Sequence, residues 1–137
     1  MINSKKDVTI VIISHKSKKK VIKLISNISN EFKIIIVENS QDKTIEKELA
    51  ISKRNIQLIF CENNGYGSAI NLARTQITTK YFFVLNPDMQ KIDDKLINIF
   101  CDSAKELNNN FGAIGPRFEN VSEKSHKQSN INEKYGQ

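Results

Sequence analysis

Three apolar runs without a polar face, Val8 to Ile13, Ile34 to Val37 and Tyr81 to Leu85, are each followed by residues whose apolar members recur at helical spacing. This alternation constrains the fold more than any other feature. Strands rich in β-branched and aromatic residues at every position have both faces buried, as in a parallel sheet covered by helices; a half-exposed antiparallel sheet would alternate apolar with polar. After the run Val8 to Ser14, residues Val21, Leu24, Ile25, Ile28 and Phe32 fall on one helical stripe. Phe32 to Val37 reads as a second strand. The turn residues Asn39, Ser40, Gln41 and Asp42 follow, with Asp42 placed to cap a short helix that carries Ile45 and Leu49.

Ile56 to Cys61 reads as a third strand, Asn63 to Gly67 as a loop, and Ser68 to about Gln76 as a helix whose inner stripe is Ala69, Ile70 and Ala73. Asn71 is read as a polar member of that stripe. Tyr81 to Leu85 is the fourth strand, stopped by Pro87, which cannot donate to a ladder. Asp93 or Asp94 caps a last helix that shows Leu96, Ile97, Phe100, Ala104 and Leu107, and Ala113-Ile114 is expected as a short fifth strand. The expected fold class is α/β, doubly wound, with a mostly parallel sheet, helices on both faces and right-handed crossovers.

A chain of 137 residues is expected to hold one domain, residues 1 to 118, followed by a polar, pattern-free tail at 119 to 137. The apolar runs are too short to cross a bilayer, and residues 1 to 7 lack the core of a secretion signal, so a cytoplasmic location is expected. Cys61 and Cys101 have no metal-ligand spacing and read as reduced, largely buried thiols. The net charge of +6 is densest at Lys16, Lys18, Lys19, Lys20 and Lys23. These are lysines without interleaved aromatics, which argues against nucleic acid. The cluster is either a solvated face or a weak attractor for an anionic membrane surface, where polybasic segments gain about 1 kcal/mol per residue.

In a doubly wound sheet, ligands lie outside the carboxyl ends of the strands. Ser14-His15, Glu38-Asn39, Asn63 to Gly67 and Asn86 to Asp88 all fall there. Asp88 follows a buried strand directly, and Mg²⁺ or Mn²⁺ is commonly held by one or two carboxylates plus substrate phosphate oxygens. As a bare tripeptide, Asn86-Pro87-Asp88 is also an ordinary turn. Glu38 reads as a solvated strand end or as a partner for a nucleobase or ribose. Gly65 and Gly67 supply backbone freedom for a tight turn, or let an anion approach the N–H groups of the following helix. Asn71 holds the loop internally or reaches the ligand; His15 is a structural hydrogen-bonder or a phosphate contact. The glycine segment lacks the third small position and the acidic strand end of a dinucleotide fingerprint, and it lacks the lysine of a phosphate loop.

The succession Val8 to Ser14, Ile35-Ile36-Val37-Glu38-Asn39-Ser40, Asn63 to Asn71 and Leu85-Asn86-Pro87-Asp88, continued by Gly112 to Pro116, resembles the nucleotide-sugar-binding half of family 2 glycosyltransferases of GT-A fold, in particular the rhamnosyltransferase-like branch. The resemblance implies inverting transfer from a UDP- or dTDP-linked sugar to a glycan or lipid-linked acceptor in cell-envelope polysaccharide synthesis, with Mg²⁺ or Mn²⁺. Carried over by position, Asp88 is the metal ligand, with Asn86 at the first acidic position of a D-x-D-type motif. Ser14, His15, Glu38, Asn39, Asn64, Gly65, Gly67, Asn71, Asn86 and Asp88 form the nucleotide-sugar site, with Glu38 at the base. The acids Glu119, Glu123 and Glu133 do not form the family's acidic pair, so no catalytic base is assigned and the domain is expected to be incomplete. A noncatalytic nucleotide-sugar-binding or regulatory module is the alternative. A flavodoxin-like or receiver-like domain would need an acceptor aspartate or flavin loop after an early strand, where Glu38 is a poor substitute.

Overall fold

A computed structural model describes residues 3–107 and 111–116. Its elements follow the order α1 (Ser4–Asp7), β1 (Val8–Ser14), α2 (Lys18–Ser26), β2 (Lys33–Glu38), α3 (Thr44–Ile51), β3 (Ile56–Phe60), α4 (Tyr66–Arg74), β4 (Tyr81–Leu85) and α5 (Asp94–Glu106). The four strands form one parallel sheet in the order β3-β2-β1-β4. Every residue of β1 is buried, since it has a neighbour on each side and helices above and below.

Alternation along β1 divides the core. Ile10 and Ile12 face one layer with Ile34 and Ile36, where Val21, Leu24, Ile25, Ile45, Ile97 and Cys101 pack from α2, α3 and α5. Val11 and Ile13 face the other with Ile35 and Val37, against Ala69 and Ala73 of α4. Each fully buried isoleucine contributes roughly 1.5–3 kcal/mol over an exposed one, so the run Ile34 to Val37 is a large share of what holds the sheet. The two small alanines let α4 lie close on β1 and β2. On the edge strand, Phe83 meets Phe100 edge-to-face with centroids 4.9 Å apart.

The α/β, parallel, two-faced architecture matches the expectation from sequence, with several local differences. The stripe Val21, Leu24, Ile25, Ile28 and Phe32 is buried throughout, although α2 ends at Ser26 and the last two sit in the following turn. Arg54 secures that end by donating from Nη1 to the carbonyls of Ile25 at 2.6 Å and Ile28 at 2.8 Å. Asp93 is the cap of α5, accepting from the Leu96 amide, while Asp94 accepts from the Ser29 amide at 2.8 Å. Ala113 and Ile114 are not a strand; they are described as irregular chain with Ala113 exposed. The sheet therefore has four strands among the described residues. The sequence pattern also passed over α1, a single turn capped by Asn3.

Candidate functional site

The strand order sets the geometry of the site. The chain steps outward from β1 to β2 to β3, then α4 crosses back over β2 and β1 to place β4 on the far side of β1. The progression of strands reverses between β1 and β4, and a reversal of this kind marks the usual ligand crevice of an open α/β sheet. Ser14, Glu38 and Phe60 end their strands in register, and Leu85 aligns with Ile12, so all four following loops leave from one edge.

Glu38 is fully buried, which removes the solvated reading. Its Oε2 accepts from the Ser14 hydroxyl at 2.6 Å, and its Oε1 accepts from the Ser40 amide at 2.6 Å and from the Ser40 hydroxyl. A buried carboxylate is tolerable on these terms, with three donors satisfying it. Ser14 is likewise without exposed surface, so in this structure the pair braces the mouth from beneath. Ser40 continues the brace, because its hydroxyl also accepts from the Lys16 amide at 2.9 Å.

Above this brace runs a row of side chains from three loops. His15 Nδ1 meets Asn39 Oδ1 at 2.8 Å, Asn39 Nδ2 donates to Asn63 Oδ1 at 3.3 Å, and the Gly65 amide donates to the same oxygen at 3.4 Å. Asn39 is buried, while His15, Asn63, Asn64 and Gly65 are exposed.

Gly65 is the N-cap of α4 with φ 94° and ψ 161°, a backbone conformation open essentially to glycine. Helix α4 consequently begins at Tyr66, two residues before the start expected from sequence, and Gly67 lies in its first turn. Asn71 is exposed, and at about 100° per residue it lies opposite the buried Ala69 and Ala73. The sequence reading had placed it on the inner stripe; the helical register puts it on the outer side of α4, away from the sheet.

Across the mouth, the Tyr66 hydroxyl donates to Asn86 Oδ1 at 2.7 Å. The Met89 amide donates to the Asn86 carbonyl at 3.1 Å, closing a turn in which Pro87 and Asp88 are central. Asp88 has no positive φ, so the turn is of type I rather than type II, and its carboxylate is exposed at the mouth. Burial, and then the charge of Asp88, push the Tyr66 hydroxyl above its ordinary pKa. Sequence reasoning did not find Tyr66, because nothing local marks an aromatic residue as the partner of a turn twenty positions away.

Among the described residues no three His, Cys, Asp or Glu side chains gather as a metal cluster. An exposed carboxylate on a turn at the strand edge nevertheless fits a hard cation that takes its remaining oxygens from a diphosphate. Beside the mouth, a concavity of about 500 Å³ is lined by Lys16, Ser17, Lys18, Lys19, Lys20, Ser40 and Asp42. Lys18 there is paired with Glu48 at 3.0 Å. Cys61 is half-buried, and burial raises its thiol pKa, in keeping with an inert structural role.

The sequence profile of glycosyl transferase family 2 matches residues 9–137. The chain belongs to that family. The fold of this family 2 chain is similar to the crystal structure of S. aureus TarS 1-349, with TM-score 0.61 and 16% identity over 80% of this chain and 38% of that one. It is similar also to a longer S. aureus TarS structure, with TM-score 0.60, 12% identity, and coverage of 84% and 24%. A third likeness is to CMP:2-keto-3-deoxy-manno-octonic acid synthetase complexed with CTP, with TM-score 0.56, 9% identity, and coverage of 75% and 49%. The family 2 chain thus spans less than half the length of these proteins. No curated protein matches its sequence. Among the described residues no helix is long and apolar enough to cross a membrane.

Proposed function

We propose that this family 2 chain is the donor-binding part of an inverting, metal-assisted glycosyltransferase of hexosyl or rhamnosyl type. It would take a UDP- or dTDP-linked sugar and serve a glycan or lipid-linked acceptor of cell-envelope polysaccharide. The observation that carries the reading is the meeting of the Asp88 turn, Asn86 and the Gly65-capped start of α4 at one sheet edge. Residues 1–118 act as the donor domain; the tail at 119–137 lies outside the described residues.

Asp88 would hold Mg²⁺ or Mn²⁺, which supplies neutralisation of the charge that builds on a departing diphosphate. Asn64, Gly65 and Gly67 leave the start of α4 open to an anion, since neither glycine interposes a side chain and a Cβ at either would meet nothing within 4 Å. His15 and Asn39 present polar groups over the ends of β1 and β2, where the nucleoside would lie, and Ser14 with Glu38 fixes the spacing of those ends. The exposed Lys16, Lys19, Lys20 and Lys23 would draw this edge toward the anionic inner face of a membrane.

Calorimetric titration of UDP, dTDP and GDP with and without Mn²⁺, into the wild type and Asp88→Ala, tests the reading. UDP or dTDP is expected to bind more tightly with the metal, and Asp88→Ala to lose that gain. Absence of metal-dependent binding for all three nucleotides overturns the assignment.

A further inference from the structure

An asparagine side chain offers one acceptor oxygen and one donor nitrogen, so what occupies the first decides what the second presents. At Asn86 the oxygen is occupied by the Tyr66 hydroxyl at 2.7 Å. The residue's backbone is fixed as well, through the Met89 amide on its carbonyl at 3.1 Å. Asn86 is exposed at the mouth, and among the described residues its Nδ2 has no protein partner. Two residues on, Asp88 offers an acceptor-only carboxylate on the same turn.

Resting on the donor-site reading above, we propose that Tyr66 is a positioning residue. Its hydroxyl holds Oδ1 of Asn86, so that Asn86 turns its Nδ2 hydrogens to the mouth and meets the diphosphate as a donor, while Asp88 alone takes the cation. The two polar ends of the turn then divide the ligand: phosphate oxygens go to the amide and the metal to the carboxylate. Replacing the expected acid of the motif by asparagine thereby changes the group's task from oxygen ligand to anion donor. The bond also ties the first residue of α4 to the loop after β4, whose strands lie at opposite edges of the sheet. The glycine-capped helix start and the turn are thus kept at a fixed span for one diphosphate.

The test is calorimetric titration of UDP and dTDP, each with and without Mn²⁺, into wild type, Tyr66→Phe, Asn86→Ala, the double variant, Asn86→Asp and Asp88→Ala. One oriented hydrogen bond is worth about 1 kcal/mol, so Tyr66→Phe is expected to weaken binding roughly fivefold to tenfold with or without metal. The gain from Mn²⁺ stays at the wild-type ratio. Asn86→Ala gives a similar loss, and the double variant is no weaker than Asn86→Ala alone, since both remove one contact. Asn86→Asp, which keeps the oxygen but loses the donor, also weakens binding. A purely structural role for Tyr66 would not produce this coupling.

Wild-type affinity in Tyr66→Phe, additive losses in the double variant, a collapse of the Mn²⁺ gain in Tyr66→Phe, or tighter metal-dependent binding in Asn86→Asp would each overturn the inference while leaving the donor-site reading standing. If the wild type binds none of UDP, dTDP and GDP in a metal-dependent way, both fall together.

Discussion

The Ser14 hydroxyl donates to Oε2 of Glu38 at 2.6 Å, joining two residues that are register partners at the ends of adjacent strands and have no exposed surface. Glu38→Ala leaves the hydrogens of Ser14 and Ser40 without their acceptor and opens a void, a loss of about 3 kcal/mol in urea unfolding. Glu38→Gln should cost only about 1 kcal/mol. Its amide can donate to Ser14, whose own hydrogen then passes to the Ser17 hydroxyl 3.3 Å away. If Glu38 acted as an exposed side chain instead, the alanine variant would stay within about 0.5 kcal/mol of wild type.

The two glycines of the loop after β3 should respond in opposite directions. Neither would crowd a neighbour with a Cβ, so backbone conformation alone decides. Gly65→Ala must carry a side chain at φ 94° and should lose roughly 1–3 kcal/mol. Gly67→Ala, inside the first turn of α4, should gain about 0.5–1 kcal/mol from higher helix propensity. Urea melts of the two variants check the pair; equal effects would place the helix start elsewhere.

Acid stability carries a signature of Asp42. The Thr44 hydroxyl, and then the Thr44 amide, hold its carboxyl below the ordinary value of 3.8. A carboxylate depressed in the folded state contributes stability that is present above that ordinary value and is lost as pH falls through the lower folded one. Asp42→Asn should therefore lower stability across the neutral region, where the contribution is present, and flatten the profile below 3.8, where the wild type loses it. A melting series from pH 2 to 7 reads the difference. An unchanged acid limb would mean that the Thr44 contacts do not persist in solution.

The layers of the fold were legible because burial on both faces writes uninterrupted apolar runs, and Val21, Leu24, Ile25 and Ile28 write a helical stripe whether or not the helix persists to its end. Asp42 was expected as the cap of α3, but the cap position is Lys43; Asp42 stands one residue further out and accepts from the Thr44 amide at 3.0 Å. The start of α4 was not legible, because Gly67 reads as a loop residue by propensity and only the unusual backbone of Gly65 shows where the helix begins. Asn71 was misplaced for a different reason: two residues of helical phase, about 200°, carry it to the face opposite Ala69 and Ala73 wherever the helix begins. Ala113-Ile114 is too short a run to tell a strand from irregular chain. Of the candidate site, the loops could be assigned to one edge from the alternation of elements, but the contacts of Glu38 depend on strand register and those of Tyr66 on the crossing of α4 to the far strand.

The row from Gly65 to His15 has a chemical consequence. A main-chain N–H has no choice of role, and it faces Asn63 Oδ1. That oxygen must accept, so Asn39 turns its nitrogen toward it and its own oxygen toward the imidazole. The neutral ring of His15 accordingly carries its hydrogen on Nδ1, which leaves Nε2 as the acceptor nitrogen of an exposed ring, so a ligand meeting His15 there is met by a lone pair and must itself be the donor.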